Sequence, residues 1–556
     1  MFICYNFALE NDMKANCFEE FRASNQEHEH ETRNTQYAIR FCIKSKGHKK
    51  HCNMKMKKVL VIAASLLPAM MFGQINELER ATPESQGVPS KSIISFLDSI
   101  TSLSTAEIHS AIIMRHGKVI AETYPKPFRP EYGQTLFSCS KTFTSAAIGM
   151  AINENRLRLT DRLAAFYPEL LPDPIPKELA DIDLRDLLTM QSGFKVTDDV
   201  RTYQTKWVKG CINNNMVSKP GTRFAYDSMD TYLISAILTK VTRTTLFDYL
   251  KPRLFEPLHI TKVNWEWSPE GISCGGWGLY LQPESMAKFG QLLLDKGQWK
   301  GKQLIPASWV EEMMKTQVKS SKYGYQMWVC SNPGTAKADG AFGQYIIVMP
   351  KEDMVAVITQ SMTGDAGKRE QEMLYRMVLP GIKETYIPDE RGYKALAHKQ
   401  ASYALPYATG KAASAKQRAI SATTYKISKN RLGWKTISIS TVGKDLVVNI
   451  NTDKHGMVKL NCGHKEWSTS SVPVTFPPYS RSATQGAFSG FSKPFTAASS
   501  YGWKDADVLE TKTHFVDWMS GFTLTFYFES KTPTLYVKYN YEKAKYSFAL
   551  KAEPKQ

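Results

Sequence analysis

A serine and a lysine three residues apart begin the most distinctive segment of the chain. Ser138-Cys139-Ser140-Lys141 leads into a run of small and apolar residues, which we predict to be a helix ending near Ile152. Because this helix is apolar nearly all round, it must be buried in a core. Residues three apart lie on the same face of a helix, so we expect Lys141 to reach the Ser138 hydroxyl.

This pair has the chemistry of an activated nucleophile. A serine hydroxyl reacts poorly unless a base lies beside it. Burial favours the neutral form of a lysine, which can accept the serine proton. The helix N-terminus adds N–H groups that stabilise a developing negative charge. A second pair of the same spacing, Ser285 and Lys288, lies in an amphipathic helix predicted from Glu284 to Lys296. We interpret that pair as structural and on the helix surface.

Two other segments supply possible partners for the nucleophile. Tyr226-Asp227-Ser228 follows a Pro-Gly turn and precedes a helix predicted from Met229 to about Val241. A tyrosine there can relay a proton between the serine and a leaving group. Further on, Gly340-Ala341-Phe342-Gly343-Gln344 leads into an apolar strand that ends at Pro350. A backbone N–H in this glycine-marked segment, paired with the N–H of Ser138, would form an oxyanion hole.

Taken in this order, the segments resemble the motifs of the serine β-lactamase and penicillin-binding-protein superfamily, S-x-x-K, Y-x-N and K-T-G. The resemblance covers residues 84 to 383, including Leu-Leu-Thr-Met-Gln-Ser-Gly at 187 to 193. It is closest to class C-type esterases and to 6-aminohexanoate-dimer hydrolases. It implies Ser138 as nucleophile, Lys141 as general base, Tyr226 as proton relay, and the N–H groups of Ser138 and Ala341 as oxyanion donors. It implies no metal and no organic cofactor. The residues implied to contact substrate are Ser228, Gly340, Phe342 and Gly343.

The chain departs from the superfamily pattern at two positions. The middle motif ends in Ser228 where many members have Asn, and the K-T-G position reads Ala338-Asp339-Gly340. The cation that would bind a substrate carboxylate is therefore missing. We expect an exported hydrolase that cleaves an ester or amide through an acyl-enzyme. Two alternatives are a penicillin-binding protein or β-lactamase acting on D-Ala peptides or β-lactams, and a catalytically silent module that binds cell-wall fragments.

The order of predicted elements indicates an α+β fold of the β-lactamase type. A hairpin at 109 to 124, helical segments from 138 to about 318, strands from 326 to 360 and a helix at about 365 to 382 predict an antiparallel sheet flanked by helices, with an inserted helical region. We assign this domain to residues 74–384. A linker is predicted at 385–420. Alternating apolar residues beyond it predict an all-β domain at 421–556, closed or sandwiched.

The N-terminal segment has the pattern of an export signal. Met54-Lys55-Met56-Lys57-Lys58 is basic, and the apolar run that follows to Phe72 is too short to span a membrane. We predict a signal peptide at 54–73, a mature start near Gln74 and a periplasmic or secreted protein with no stable membrane anchor. Residues 1–53 are interpreted as an upstream or wrongly started segment.

Charge and cysteine content limit the other partners. The formal net charge is +18, but the excess is scattered, with no basic run interleaved with aromatic residues. This pattern argues against nucleic-acid binding, and the expected partner is a small-molecule or peptide-like substrate. Beyond the signal, five cysteines without a C-x-x-C spacing do not indicate a disulfide scaffold, although one bridge is possible.

Overall fold

An antiparallel sheet of six strands supports the region around Ser138. The computed structural model describes residues 78–197, 205–362, 369–475, 494–530, 532–540 and 547–555, so the predicted signal and upstream segment lie outside it. The first eleven strands are β1 (Ala106–Arg115), β2 (Lys118–Thr123), β3 (Gln134–Thr135), β4 (Val263–Trp265), β5 (Leu279–Leu281), β6 (Gln298–Trp299), β7 (Lys302–Gln303), β8 (Trp328–Val329), β9 (Ala336–Gly340), β10 (Gln344–Met349) and β11 (Met354–Met362). The order of strands in the sheet is β2-β1-β11-β10-β9-β8, and the predicted hairpin and returning strands are confirmed.

Helices cover both faces of this sheet because its strands are apolar on both sides. Alternate residues of β1 and β10 enter two different cores, Ile112 and Ile346 on one face and Ile113 and Ile347 on the other. The α-helices are α1 (Ser90–Thr101), α2 (Ser140–Asn153), α3 (Leu163–Phe166), α4 (Lys177–Asp181), α5 (Leu184–Leu188), α6 (Trp207–Ile212), α7 (Ser228–Thr242), α8 (Leu246–Leu250), α9 (Pro283–Leu294), α10 (Ala307–Met314), α11 (Arg369–Met377), α12 (Glu390–Ser402) and α13 (Gln417–Ser421).

Helix α2 lies inside the larger core, as its apolar surface predicts. Every residue from Ser140 to Ala151 is buried. Gly149 allows the indole of Trp309 to pack directly on the helix backbone, and that indole donates to the Ser145 carbonyl at 2.9 Å. The helix that follows Tyr226 also appears where it is predicted, at Ser228–Thr242.

The second Ser–Lys pair corrects one expectation. Ser285 and Lys288 lie on α9 as predicted, but they are only 5% and 7% exposed, so they are not on the surface. The cause is close packing of α9 on the sheet, where Gly290 lies directly against Val355 and Ile346. Glu284, at the start of the helix, accepts a hydrogen bond from the Leu78 N–H and covers that end.

A closed β-barrel follows, which confirms the predicted C-terminal all-β domain. Its ten strands are β12 (Thr424–Ile427), β13 (Trp434–Val442), β14 (Asp445–Thr452), β15 (Gly456–His464), β16 (Ser468–Val472), β17 (Phe495–Trp503), β18 (Val508–Phe515), β19 (Gly521–Tyr527), β20 (Thr534–Tyr539) and β21 (Phe548–Pro554). They pair in the order β15-β14-β13-β12-β21-β20-β19-β18-β17-β16, and a parallel pairing of β15 with β17 completes the ring.

The segment interpreted as a linker packs on the first domain. Helix α12 buries Leu396 in the core that also holds α1. Lys399 Nζ and Tyr403 Oη both donate to the Asp98 carboxylate, at 2.9 and 2.8 Å. The described residues belong to one compact unit. Among them, no helix is long and apolar enough to cross a membrane.

Candidate active site

Ser138 lies in a tight turn immediately before α2. Residues Phe137–Cys139 form a 3-10 turn, and Ser138 is half-buried while its neighbours on both sides are buried. Ser140 holds this turn in place: its Oγ donates to the Phe137 carbonyl at 2.6 Å and accepts from the Leu279 N–H at 3.0 Å. The turn therefore presents the Ser138 side chain to the cleft from a fixed backbone.

Lys141 reaches Ser138 as the spacing predicts. Its Nζ lies 3.1 Å from Ser138 Oγ, 3.0 Å from Ser228 Oγ and 2.7 Å from the Gly276 carbonyl oxygen. Lys141 is 1% exposed, so these oxygens take the place of water around the amine. Such an arrangement can move a proton between Lys141 and the serine hydroxyl without solvent. The sequence analysis assigns Ser228 to substrate contact, and in the structure its hydroxyl also accepts a hydrogen bond from Lys141.

Gly276 was not identified from the sequence as a site residue. Its backbone passes so close to α7 that a Cβ there would lie 2.6 Å from the Ser228 carbonyl oxygen. Only glycine permits this approach, which brings the carbonyl to Lys141. The Gly275-Gly276 pair in the sequence is the signal that could have indicated a close backbone contact.

Gln326, a second residue that the sequence analysis missed, links the helices that carry the motifs. Its carbonyl accepts from Thr142 Oγ1 at 3.0 Å on α2, and its side-chain oxygen accepts from Thr231 Oγ1 at 2.7 Å on α7. Its amide group donates to the Leu188 carbonyl at 2.8 Å, at the end of α5. Gln326 is buried, and it fixes the distance between Ser138–Lys141 and Ser228.

Tyr226 lies beside Lys141 in a cluster of aromatic residues. Lys141 Nζ is 4.9 Å from the centroid of its ring. The ring stacks on Trp328 at 5.5 Å and meets the edge of Tyr323 at 6.1 Å. Asp227 caps α7 by accepting from the Met229 N–H, which positions the Tyr226–Ser228 segment. The proton-relay role of Tyr226 stays a prediction.

The glycine-marked segment is the turn between β9 and β10, directly against the Ser138 turn. Ala341 is exposed and Phe342 half-buried, whereas Gly340 and Gly343 are buried behind them. A Cβ on Gly340 would collide with the Leu136 carbonyl oxygen. Cys139 Sγ donates to the Gln344 carbonyl at 3.1 Å. The two glycines thus allow the turn to approach Ser138, and their contact with substrate stays a prediction.

The position of the missing cation is filled by apolar packing. Ala338 is 1% exposed and belongs to the same core as α2. Its neighbour Asp339 forms an ion pair with Lys337 at 2.8 Å. Lys337 also lies 4.7 Å from the ring centroid of Tyr345. The negative charge of Asp339 is therefore partly compensated within its own strand.

Other reactive groups near Ser138 are not set up for catalysis. Burial raises the pKa of the Cys139 thiol well above its ordinary value, and the nearby Asp339 charge adds to this shift. Cys139 is therefore a neutral packing residue. All five cysteines of the described residues are free thiols, so no bridge forms among them. Within the same residues, no group of three or more His, Cys, Asp or Glu side chains is placed to hold a metal ion.

Comparisons with known proteins identify a matching sequence family and several relatives. A sequence model of the family described as Beta-lactamase matches residues 100–377. The 6-aminohexanoate-dimer hydrolase of Paenarthrobacter ureafaciens is 22% identical over 283 residues, which cover 44% of this chain and 70% of that protein. A β-lactamase of Escherichia coli strain K12 is 30% identical over 145 residues, 25% of this chain and 36% of that one. The solved structure of FmtA from Staphylococcus aureus is 16% identical, covers 57% of this chain and 95% of its own, and has a TM-score of 0.44.

The matched region is half of the chain, so the chain belongs to the β-lactamase family. It is a serine hydrolase of that family, with a β-barrel after the family domain.

Proposed function

We propose that this protein is an exported hydrolase that cleaves a neutral ester or amide through an acyl-enzyme on Ser138. The observation that carries the proposal is the contact of 3.1 Å between the fully buried Lys141 Nζ and the half-exposed Ser138 Oγ. A buried amine beside an accessible hydroxyl is the arrangement that proton abstraction from a serine requires.

The reaction follows from these positions. Neutral Lys141 takes the proton of Ser138 as its Oγ attacks the substrate carbonyl carbon. The carbonyl oxygen becomes an oxyanion, which the N–H groups of Ser138 and Ala341 stabilise. The carbon–leaving-group bond then breaks, and the proton passes from Lys141, with Tyr226 as relay, to the departing alcohol or amine. Water activated by Lys141 attacks the acyl-enzyme and releases the acid and free Ser138.

Neutral substrates are favoured by the groups around the β9–β10 turn. Ala338 supplies no cation for a substrate carboxylate, and the negative charge of neighbouring Asp339 is only partly compensated by Lys337. A charge-assisted hydrogen bond contributes about 1.5–3 kcal/mol. β-Lactams and D-Ala-terminated peptides lose this contribution here, whereas neutral esters and amides do not need it.

The nucleophile is tested with a fluorophosphonate probe. Wild-type protein and the Ser285→Ala variant should be labelled, whereas Ser138→Ala should not be. Ser285 is the matched control because it is also followed by a lysine three residues later on a buried helix. Labelling that persists in Ser138→Ala would refute the assignment.

Substrate class is tested with a panel of p-nitrophenyl esters, short amide oligomers, D-amino-acid amides and nitrocefin. We expect turnover of short neutral esters and slow or absent hydrolysis of nitrocefin. Nitrocefin hydrolysis as fast as that of the best ester would favour the β-lactamase alternative. Absence of any turnover together with absence of probe labelling would favour the silent binding module.

N-terminal sequencing of protein exported by its own host should give a start near Gln74, and a start at Met1 would contradict export.

A further inference from the structure

The core of the C-terminal barrel extends to the residue before the nucleophile. Phe137 and Tyr280, both from the hydrolase domain, belong to the same contiguous apolar cluster as the barrel strands. Half-buried Phe342, next to Ala341, also packs against this cluster. An independent accessory domain would have a core of its own, whereas this barrel shares its core with the wall of the catalytic cleft.

One turn of the barrel contacts hydrolase residues close to Phe137. The barrel turn, residues 516–520 between β18 and β19, is buried throughout. Its Val516 carbonyl accepts from Gln134 Nε2 at 3.1 Å, and its Trp518 indole stacks on the Tyr280 ring at 6.4 Å between centroids. The Asp517 carboxylate accepts from the Thr496 N–H at 2.9 Å, which anchors the turn to β17.

Gln134 and Tyr280, which the barrel turn contacts, lie on the strand pair leading into Ser138. In that pair Gln134 and Thr135 of β3 are opposite Leu281 and Tyr280 of β5. The Leu136 N–H then donates to the Leu279 carbonyl at 2.8 Å, and Phe137 and Ser138 follow directly. A displacement of Trp518 would therefore be transmitted through Tyr280 to the backbone of the nucleophile turn.

Two phenylalanines connect this strand pair to both predicted oxyanion donors. Phe137 precedes Ser138 with φ of 47°, and Phe342 follows Ala341 with φ of 62°. Positive φ is costly for a bulky residue and persists only where packing imposes it. The two rings pack edge to face, with centroids 5.1 Å apart. This contact ties the Ser138 turn to the β9–β10 turn.

We propose that the barrel turn is a positioning element of the active site, which holds the Phe137–Phe342 pair and thereby sets the separation of the Ser138 and Ala341 N–H groups. The barrel thus acts on the rate of acylation more than on the binding of substrate. This inference rests on the proposed acyl-enzyme mechanism. Trp518 is a positioning residue, since it acts through Tyr280 and the strand pair.

The test compares two buried tryptophans of the same barrel core. Trp518→Ala removes the stacking on Tyr280. Trp503→Ala is the matched control, because Trp503 is 1% exposed and Trp518 is 2% exposed. Trp503 is the last residue of β17, and Phe495, which contacts Trp518, is the first. About 25 Å of strand therefore separates Trp503 from the end of β17 that contacts Trp518. Both variants should lower the melting temperature.

Only Trp518→Ala should slow the chemistry. Loss of one oxyanion donor typically lowers kcat by 10²–10³. Displacement of a donor in Trp518→Ala, without its loss, should therefore lower kcat by roughly tenfold to a hundredfold. We expect KM for p-nitrophenyl acetate to change less than about threefold, and Trp503→Ala to keep kcat within about twofold. Rates are divided by the active sites counted with the fluorophosphonate, so unfolded protein does not contribute.

Gln134→Met provides a milder second variant if Trp518→Ala does not fold. It removes the hydrogen bond to the Val516 carbonyl, and the contact of 2.9 Å between Gln134 Oε1 and His109 Nδ1, while keeping a side chain of similar length. It should lower kcat about threefold or more with little change in KM. The positioning role would be refuted if Trp518→Ala, or Gln134→Met in its place, had the same kcat per titrated site as the wild type and Trp503→Ala. Absence of labelling in the wild type would instead refute the acyl-enzyme mechanism itself.

Discussion

Replacement of Lys141 by methionine removes the amine and keeps a side chain of similar size. In the wild type, Lys141 Nζ lies within 3.1 Å of the Ser138 hydroxyl, the Ser228 hydroxyl and the Gly276 carbonyl. A positioned general base contributes about 10²–10⁴ to the rate. Each factor of ten corresponds to about 1.4 kcal/mol of activation free energy, so the variant should lose about 3–5 kcal/mol of transition-state stabilisation.

The fold should tolerate this change. Replacing a buried charged or polar group by an apolar one of similar volume is often neutral for stability. The cost here is that the Ser228 hydroxyl and the Gly276 carbonyl each lose one donor, about 1–3 kcal/mol for a buried group left unsatisfied. Lys288→Met is the matched control, since Lys288 is also buried and also follows a serine by three residues.

The assay is hydrolysis of p-nitrophenyl acetate at several pH values, with melting temperature measured on the same samples. Lys141→Met should lose two to four powers of ten in kcat/KM, and its residual rate should rise with hydroxide concentration because no internal base is left. Lys288→Met should stay within about threefold of the wild type. A Lys141→Met enzyme with more than a tenth of wild-type activity would show that another group takes the serine proton.

Three further changes test other parts of the reasoning. Gly276→Ala should lower kcat about tenfold or more, because the added Cβ would lie 2.6 Å from the Ser228 carbonyl oxygen and move the groups around Lys141. Ala338→Lys should lower the melting temperature, because Ala338 is 1% exposed, but in the folded enzyme it should raise activity on carboxylate-bearing substrates relative to neutral ones, measured as a ratio of kcat/KM values. Burial lowers the pKa of His109 to about 4 from an ordinary 6.5, so the unfolded chain binds a proton between these values and the native protein loses stability as pH falls. Between pH 6.5 and pH 5, the free energy of unfolding of His109→Asn should therefore fall less than that of the wild type, by up to about 2 kcal/mol, as measured by urea unfolding.

Each change has a control or a contradicting outcome. Gly443→Ala adds a Cβ at a turn of the barrel where nothing lies within 4 Å, and it should leave kcat unchanged. An Ala338→Lys enzyme that gains equally on neutral esters would show that position 338 does not select for charge. If the stability of His109→Asn falls between pH 6.5 and pH 5 as steeply as that of the wild type, burial of His109 is not the cause.

The sequence by itself determined the main helices and strands and the pairing of Ser138 with Lys141. Spacing of three residues on an apolar helix was enough to predict that Lys141 reaches Ser138, because helix geometry is local. Alternation of apolar residues likewise predicted the barrel strands, and glycines at 340 and 343 marked the turn beside the nucleophile. These inferences hold because 3.6-residue and two-residue periods are properties of the backbone alone.

The tertiary structure decided which groups surround that pair. The Gly276 carbonyl and Gln326, through both its backbone carbonyl and its side chain, join the site from loops more than 130 residues away in sequence from Lys141. No local pattern encodes such contacts, because they arise only when separate helices pack. The same reason explains the burial of Ser285 and Lys288. An amphipathic pattern shows which face of a helix is apolar, but it does not show which parts of the fold cover the polar face. It also explains why no sequence pattern indicates the role of Trp518: its contact with Tyr280, and so with the strand leading to Ser138, exists only after the two domains share a core.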